Sequence, residues 1–260
     1  MDIKDIDGEV IYTSPAPTVA QALECAAKDG RVLYRANLCF ADFSNAILDG
    51  IQLPEAYLMG AKVQCASFRY ARMTLARLSH ADISRSDFYK ADLSFVYAHR
   101  VVADHTCFAG SYMVNSDFSC AQVYGADFSE ANIDASSFSL TNAERAFFRA
   151  ALARNANFTD AYMRGADMVK ASIAGASLRG ADLECANLEG ANLMDVRAMD
   201  CVFTGANLRG ARAARADMTR AQFINADIES ADFRGAILDG SDIPSRAIDS
   251  EGYGGTNAVI

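Results

Sequence analysis

Every fifth residue from Leu38 to Ile243 is apolar, without one slip of register. Counted in fives from Ala36 to Ser245, the chain holds forty-two consecutive pentapeptides, each centred on Leu, Ile, Val, Phe, Met or Ala. With the centre written as i, position i−2 is nearly as restricted: thirty Ala, five Ser, three Val, two Thr, Cys201 and Ile51. A packed chain keeps such a period only if each five residues form one structural unit that stacks on others like it.

The local pattern says how the unit is built. Positions i−2 and i flank a position that is commonly polar, as Ala36 and Leu38 flank Asn37, and Ala126 and Phe128 flank Asp127. Residues two apart in an extended segment share a face, so i−2 and i point inward and i−1 outward. Five is odd, so i+1 and i+2 must turn the chain to restore the inward phase. All twelve glycines of the repeat zone stand at i+2, where Asn45, Asn115, Asn155 and Asn225 also fall. Gly and Asn accept a corner at least cost. Pro54 and Pro244 both stand at i+1, a turn position that tolerates a missing N–H.

The twelve centre phenylalanines report the number of sides per coil. Seven pairs lie twenty residues apart, six lie ten apart, and none lies five or fifteen apart. A four-sided coil puts the twenty-residue lag on one wall and the ten-residue lag on opposite walls. Phe68, Phe88, Phe108, Phe128 and Phe148 then form one ladder, and Phe118, Phe138 and Phe158 another, with stacked rings. Val96, Val101 and Val196 at i−2 each face an Ala centre, namely Ala98, Ala103 and Ala198. Volume lost at one inward position is restored at the other, as close packing demands.

The segments ANLCF-ADFSN-AILDG, ADLEC-ANLEG-ANLMD and ANLRG resemble the A(D/N)LXX consensus of the pentapeptide repeat proteins. That resemblance implies an all-β solenoid, a right-handed quadrilateral β-helix with four repeats per coil. Residues 36–245 would make about ten and a half coils, a column on the order of 50 Å long at roughly 4.8 Å per coil.

Residues 1–35 break the pattern and read as an N-terminal cap of one short strand plus a helix over about 18–29. Glu9 to Tyr12 suit the strand. Thr18 with Gln21 reads as a capping box, Val19, Leu23, Ala26 and Ala27 share one helical face, and Gly30 stops the helix. Such a cap would cover the open first coil, whose unpaired backbone groups invite edge pairing. The layout of helix, Gly and first repeat also resembles N-terminal caps of that family, some of them phage-encoded. Leu33 and Ile248 continue the register, but Arg31 and Arg246 occupy their i−2 positions and mark the ends of the regular column. Residues 246–260 form a short Gly-rich C-terminal tail without helical period, unlike the C-terminal dimer modules found in the family.

No apolar run approaches the roughly 18 residues of a membrane span, and the acidic start MDIKDIDGEV lacks a secretory core. The seven cysteines are odd in number and without CxxC spacing. They read as reduced thiols of a cytoplasmic protein, not as a disulfide framework or a zinc site. Net charge is −9, of which the repeat zone carries −6. The first wall (beginning with Ala36) and the fourth (Ile51) each balance five basic against five acidic residues. The second wall (Ala41) has four against seven and the third (Ala46) five against eight, so the acidity lies on two adjacent walls.

Catalytic motifs are missing: no GxSxG, HExxH or GxxxxGK[ST] pattern occurs, and the many Asp at i−1 are repeat positions. We expect no enzyme, cofactor or metal site. The most unusual surface lies on the first wall. Tyr57, Arg77 and Tyr97 occupy i−1 in three successive coils, with Phe40, Met59, His80 and His99 beside them. Tyr and Arg are enriched in interface hot spots, and Arg over Tyr makes cation–π contacts. The favoured reading is a rigid protein-interaction scaffold, monomeric or an end-to-end homodimer, with Tyr57, Arg77, His80, Tyr97 and His99 as the partner-binding patch.

The alternative, implied by the family resemblance, is a mimic of duplex DNA that binds a type II topoisomerase such as DNA gyrase. It would use an acidic edge that includes Asp127, Glu130, Asp182 and Glu184. A duplex of about 50 Å carries roughly 30 phosphate charges, against −6 here. Direct nucleic-acid binding is disfavoured because no basic stripe exists.

Overall fold

The computed structural model describes residues 1–243. Strands β1 (Asp2–Lys4) and β2 (Val10–Thr13) form an antiparallel hairpin, and helix α1 (Val19–Lys28) follows. β2 lies where the sequence suggested a strand. β1 was not anticipated, because a three-residue strand that buries only Ile3 leaves no periodic signal. Thr18 is the N-cap, its hydroxyl oxygen accepting the Gln21 N–H at 3.2 Å. At the other end the Gly30 N–H donates to the Ala27 carbonyl and the Arg31 N–H to the Ala26 carbonyl, with Gly30 at φ 61°. This is a Schellman stop, which needs a left-handed residue at that place. Ala22, Leu23 and Ala26 are buried in the same apolar core as the repeats, with Val19 and Ala27 partly so. No helix among the described residues is long and apolar enough to cross a membrane.

From Val32 onward the backbone forms parallel bridges between residue n and residue n+20, from Val32↔Gln52 to Asp217↔Ile237. Pairing partners therefore stand four pentapeptides apart. Each repeat uses its five N–H groups in a fixed way. The i−1 N–H donates to the coil before, as Tyr57 to the Ala36 carbonyl at 2.9 Å. The i and i+2 N–H groups donate to the coil after, as Leu38 to Tyr57 at 2.7 Å and Phe40 to Met59 at 3.0 Å. The i−2 N–H closes the preceding turn, as Ala41 to Leu38 at 3.2 Å.

The i+1 N–H has no ladder partner, and this explains the Asp or Asn at i−1. Asp42, Asp82, Asp92 and Asp182 each accept the N–H two residues on, from Ser44, Ser84, Ser94 and Glu184, at 3.1 Å. Where i−1 does not accept, an Asp one coil earlier does: Asp49 takes the Arg69 N–H, Asp104 that of Tyr124 and Asp134 that of Arg154. Pro54 at i+1 needs no acceptor at all. The consensus acid is thus an Asx acceptor for a backbone group that the coil geometry strands.

The corner is left-handed at every repeat, not only where Gly or Asn stands. Each i+2 residue from Arg35 to Gly240 has φ between 52° and 70°. Tyr70, Leu75, Phe95 and Leu140 are among them. An L-residue pays about 1–2 kcal/mol for that conformation. The ladder bonds and inward packing on either side hold it in place.

The interior is a column of side chains. Phe68, Phe88, Phe108, Phe128 and Phe148 stack in sequence, with centroids 4.8–5.5 Å apart. Phe118, Phe138 and Phe158 form the second stack at 5.5 and 5.4 Å. The two stacks touch edge to face, as at Phe128–Phe138 (5.4 Å, 88°). In the three Val–Ala repeats both inward side chains are buried. Four inward hydroxyls at i−2, those of Ser86, Thr106, Ser136 and Thr141, donate to the carbonyl 23 residues earlier, as Ser86 to Val63 (2.7 Å) and Thr141 to Phe118 (2.9 Å).

Two of the first-coil i−1 N–H groups, which have no coil before them, find partners in residues 1–35. The Asn37 N–H donates to the Lys4 carbonyl at 2.8 Å, and the Ile47 N–H to the Glu24 carboxylate at 3.0 Å. Asp5 bridges Ala36 antiparallel. At the far end, Pro244, Ser245, Arg246, Ile248 and the tail 246–260 lie outside the described residues.

Candidate interaction surface on the first wall

Tyr57, Arg77 and Tyr97 pair in register, Tyr57↔Arg77 and Arg77↔Tyr97. The Arg77 guanidinium carbon stands 5.0 Å from the Tyr57 ring centroid and 5.5 Å from that of Tyr97. One cation is therefore held between two π faces. Tyr57 is half-buried, whereas Arg77 and Tyr97 are exposed. His80 and His99 meet edge to face at 6.4 Å. The Ser119 hydroxyl donates to Asp117, which leaves its oxygen to accept the His99 Nδ1–H at 3.1 Å. Phe40 is 79% exposed and lies across Gly60, where a Cβ would stand 2.6 Å from the ring.

The structure adds neighbours that the wall-by-wall reading overlooked. Leu75 and Phe95 are exposed at the corner between the fourth and first walls, each two residues before Arg77 and Tyr97. Their i+2 position was read only as a corner, so their apolar character went unused. On the third wall Arg69 stands 4.9 Å and Lys90 5.1 Å from the Tyr89 centroid, with Tyr70 edge-on to Tyr89 at 5.8 Å. These residues alternate between i+1 and i+2, so a search of i−1 alone could not find them.

The acidic residues are less free than their charge suggests. Asp127 accepts the Ser129 N–H at 2.9 Å. Asp182 takes Arg164 Nε at 2.6 Å, and the same guanidinium reaches Glu184 at 3.3 Å. Asp127 and Glu130 stand on the third wall, Asp182 and Glu184 on the second, more than two coils further along. Among the described residues no three His, Cys, Asp or Glu side chains converge as metal ligands. A groove of about 600 Å³ lies beside β2, lined by Val10, Ile11, Tyr12, Thr13, Asp29 and Arg31, and contains none of the candidate residues.

A parallel ladder with a fixed twenty-residue pitch and an inward apolar column defines a β-helical solenoid that presents walls and not a cleft. The chain belongs to the pentapeptide repeat family, whose model matches residues 36–74, 56–94, 99–134, 135–168, 163–197 and 201–240. Among solved structures it is similar to HetL from the cyanobacterium Nostoc sp. strain PCC 7120, a pentapeptide repeat protein involved in heterocyst differentiation regulation. That likeness has 20% identity and a TM-score of 0.72, over 87% of this chain and 97% of HetL. QnrB1, a plasmid-mediated fluoroquinolone resistance protein, matches at 19% identity and a TM-score of 0.42, over 74% of this chain and 88% of its own. The HetL likeness shows the fold alone, and the QnrB1 likeness is too low to carry an argument. No curated protein is a significant match to the chain.

Proposed function

We propose that this chain is a non-catalytic, rigid scaffold that engages a protein partner through the N-terminal half of its first wall. The observation that carries the reading is the Tyr57–Arg77–Tyr97 stack, exposed beside His80 and His99. Large rings and a guanidinium, pre-positioned on a stiff ladder, lose little entropy when a partner covers them. Residues 1–35 act as the cap of a right-handed column of about ten and a half coils. The bonds from Asn37 to Lys4 and from Ile47 to Glu24 support that role.

Duplex mimicry toward DNA gyrase has less support. Arg164 pairs with both Asp182 and Glu184, which halves their charge, and the two acidic pairs stand on different walls. If it held, purified protein would alter gyrase supercoiling, and charge reversal at Asp127, Glu130, Asp182 and Glu184 would weaken the effect.

The scaffold reading is tested by Tyr57→Ala with Tyr97→Ala. Both side chains are outward, so circular dichroism and thermal unfolding should change little. Affinity capture from the native host should lose specific partners. An unchanged partner set from the folded variant would overturn the reading.

A further inference from the structure

The charges of the first wall are sorted along its length. From Ala36 to Arg100 its four repeats, ANLCF, AYLMG, ARLSH and VYAHR, contain no carboxylate. Its five acids, Asp117, Asp160, Asp200, Asp217 and Asp239, all come later. Within the acid-free stretch Arg77 and Arg100 are exposed and make no ion pair with any described residue. Further along the column seven arginines, Arg149, Arg154, Arg164, Arg209, Arg215, Arg220 and Arg234, hold carboxylates, whereas Arg145, Arg179, Arg197 and Arg212 make no ion pair with any described residue. Exposed apolar side chains, Phe40, Met59, Leu75 and Phe95, lie along the same stretch or at its corner.

We infer that the first wall binds an extended acidic protein segment carrying apolar side chains, laid along the first four coils. The inference rests on the scaffold reading above and assigns the chemistry of its partner. Carboxylates of the segment meet Arg77 and Arg100 in charge-assisted hydrogen bonds, and its apolar residues cover Phe40, Met59, Leu75 and Phe95. From the first of these coils to the fourth is about 15 Å, which an extended chain crosses in roughly five residues.

The net charge of −9 does not oppose this. Charges further than about 8 Å are screened at physiological ionic strength, so the segment meets the local wall. The carboxylates nearest the patch accept hydrogen bonds: Asp117, one coil beyond Tyr97 on the same wall, takes the Ser119 N–H and hydroxyl. Asp42 and Asp82 on the second wall accept backbone N–H groups. A nucleic-acid strand fits less well. It brings a phosphate at every nucleotide to two free arginines on an acidic chain.

The test is a display library of random dodecapeptides panned on the immobilised full-length protein. Enriched sequences are then measured as free labelled peptides against wild type, Arg77→Glu/Arg100→Glu, and Tyr57→Ala/Tyr97→Ala. Folding of both variants is checked by circular dichroism. We expect Asp/Glu-rich sequences with Leu, Phe or similar residues, and a roughly tenfold or greater loss of affinity on Arg77→Glu/Arg100→Glu. Enrichment of neutral or basic peptides that Tyr57→Ala/Tyr97→Ala abolishes would overturn the acidic assignment and leave the scaffold reading standing. Peptides insensitive to both variants, or no enrichment, would overturn the inference, and a partner capture unaffected by Tyr57→Ala/Tyr97→Ala would separately remove the scaffold reading. Binding of an oligothymidylate probe to this wall, lost on Arg77→Glu/Arg100→Glu, would overturn the protein class.

Discussion

Phe128 stacks on Phe148 with the rings 4° from parallel and their centroids 4.9 Å apart. Phe128 also stacks on Phe108 at 4.9 Å and meets Phe138 edge-on at 5.4 Å, so it joins both ladders. Phe43, by contrast, touches only Phe68, edge-on at 6.4 Å. Truncating a buried Phe costs about 3–5 kcal/mol, and each aromatic pair adds about 0.5–1.5 kcal/mol. Phe128→Ala should therefore destabilise more than Phe43→Ala. In a solenoid the damage is felt first by neighbouring coils, so hydrogen exchange should show protection falling around residues 108–148. Equal losses for the two variants would argue against ring stacking as an energetic term.

The Asx bond at i−1 gives a sharper test, because charge and hydrogen bonding can be separated. The Asp92 carboxylate accepts the Ser94 N–H at 3.1 Å. Asp92→Ala strands that N–H and should cost about 1 kcal/mol. Asp92→Asn keeps an acceptor in place and should cost much less. Denaturant midpoints of the three proteins decide it. An Asn variant as unstable as the Ala variant would show that charge, not the bond, is what matters.

The inward half of each repeat was legible in the sequence because burial imposes a period. Leu38, Phe128 and Ala36 announce themselves by residue type. The outward half was only partly legible. Tyr57, Arg77 and Tyr97 share i−1, so arithmetic alone stacks them, and the Arg77 contacts follow. Arg69, Tyr70, Tyr89 and Lys90 meet across i+1 and i+2, where the turn decides which side chains converge. The hairpin partner Asp2–Lys4 left no trace, since its pairing is set by the column it abuts. The free state of Arg77 and Arg100, against the engaged state of Asp182, needed side-chain positions that no periodicity encodes.

Corner strain makes the next prediction. Leu140 is 55% exposed at i+2 with φ 56°, so its side chain gains little from burial while its backbone is strained. Leu140→Gly relieves about 1–2 kcal/mol of left-handed cost, offset by about 0.4–1 kcal/mol of extra unfolded-state entropy. The variant should be as stable as wild type or more so, by up to about 1.6 kcal/mol. The reverse change at an occupied corner should go the other way. In Gly60→Ala the new Cβ would stand 2.6 Å from Phe40, so the ring must move. Thermal midpoints that fall for Leu140→Gly would refute the strain argument.

Acid sensitivity follows from carboxylates that the fold holds ionised. Hydrogen bonding from Arg234 lowers the Asp232 carboxyl from 3.8 to about 2. Arg215 and Arg220 lower Asp195 and Asp200 in the same direction, and the Ser44 backbone N–H lowers Asp42. A carboxyl whose pKa is depressed on folding stabilises the native state above its unfolded value. That contribution is lost as pH falls through the folded value. For Asp232 the window runs from 3.8 down to about 2. Unfolding free energy of the wild type should therefore decline across that interval. Asp232→Asn should be less stable at neutral pH and show a shallower decline on acidification, because the group that would take up the proton is gone. Urea titrations of both proteins at neutral pH and across the acid range measure the two slopes. Parallel slopes would show that the Arg234 contact does not hold Asp232 ionised in the folded chain.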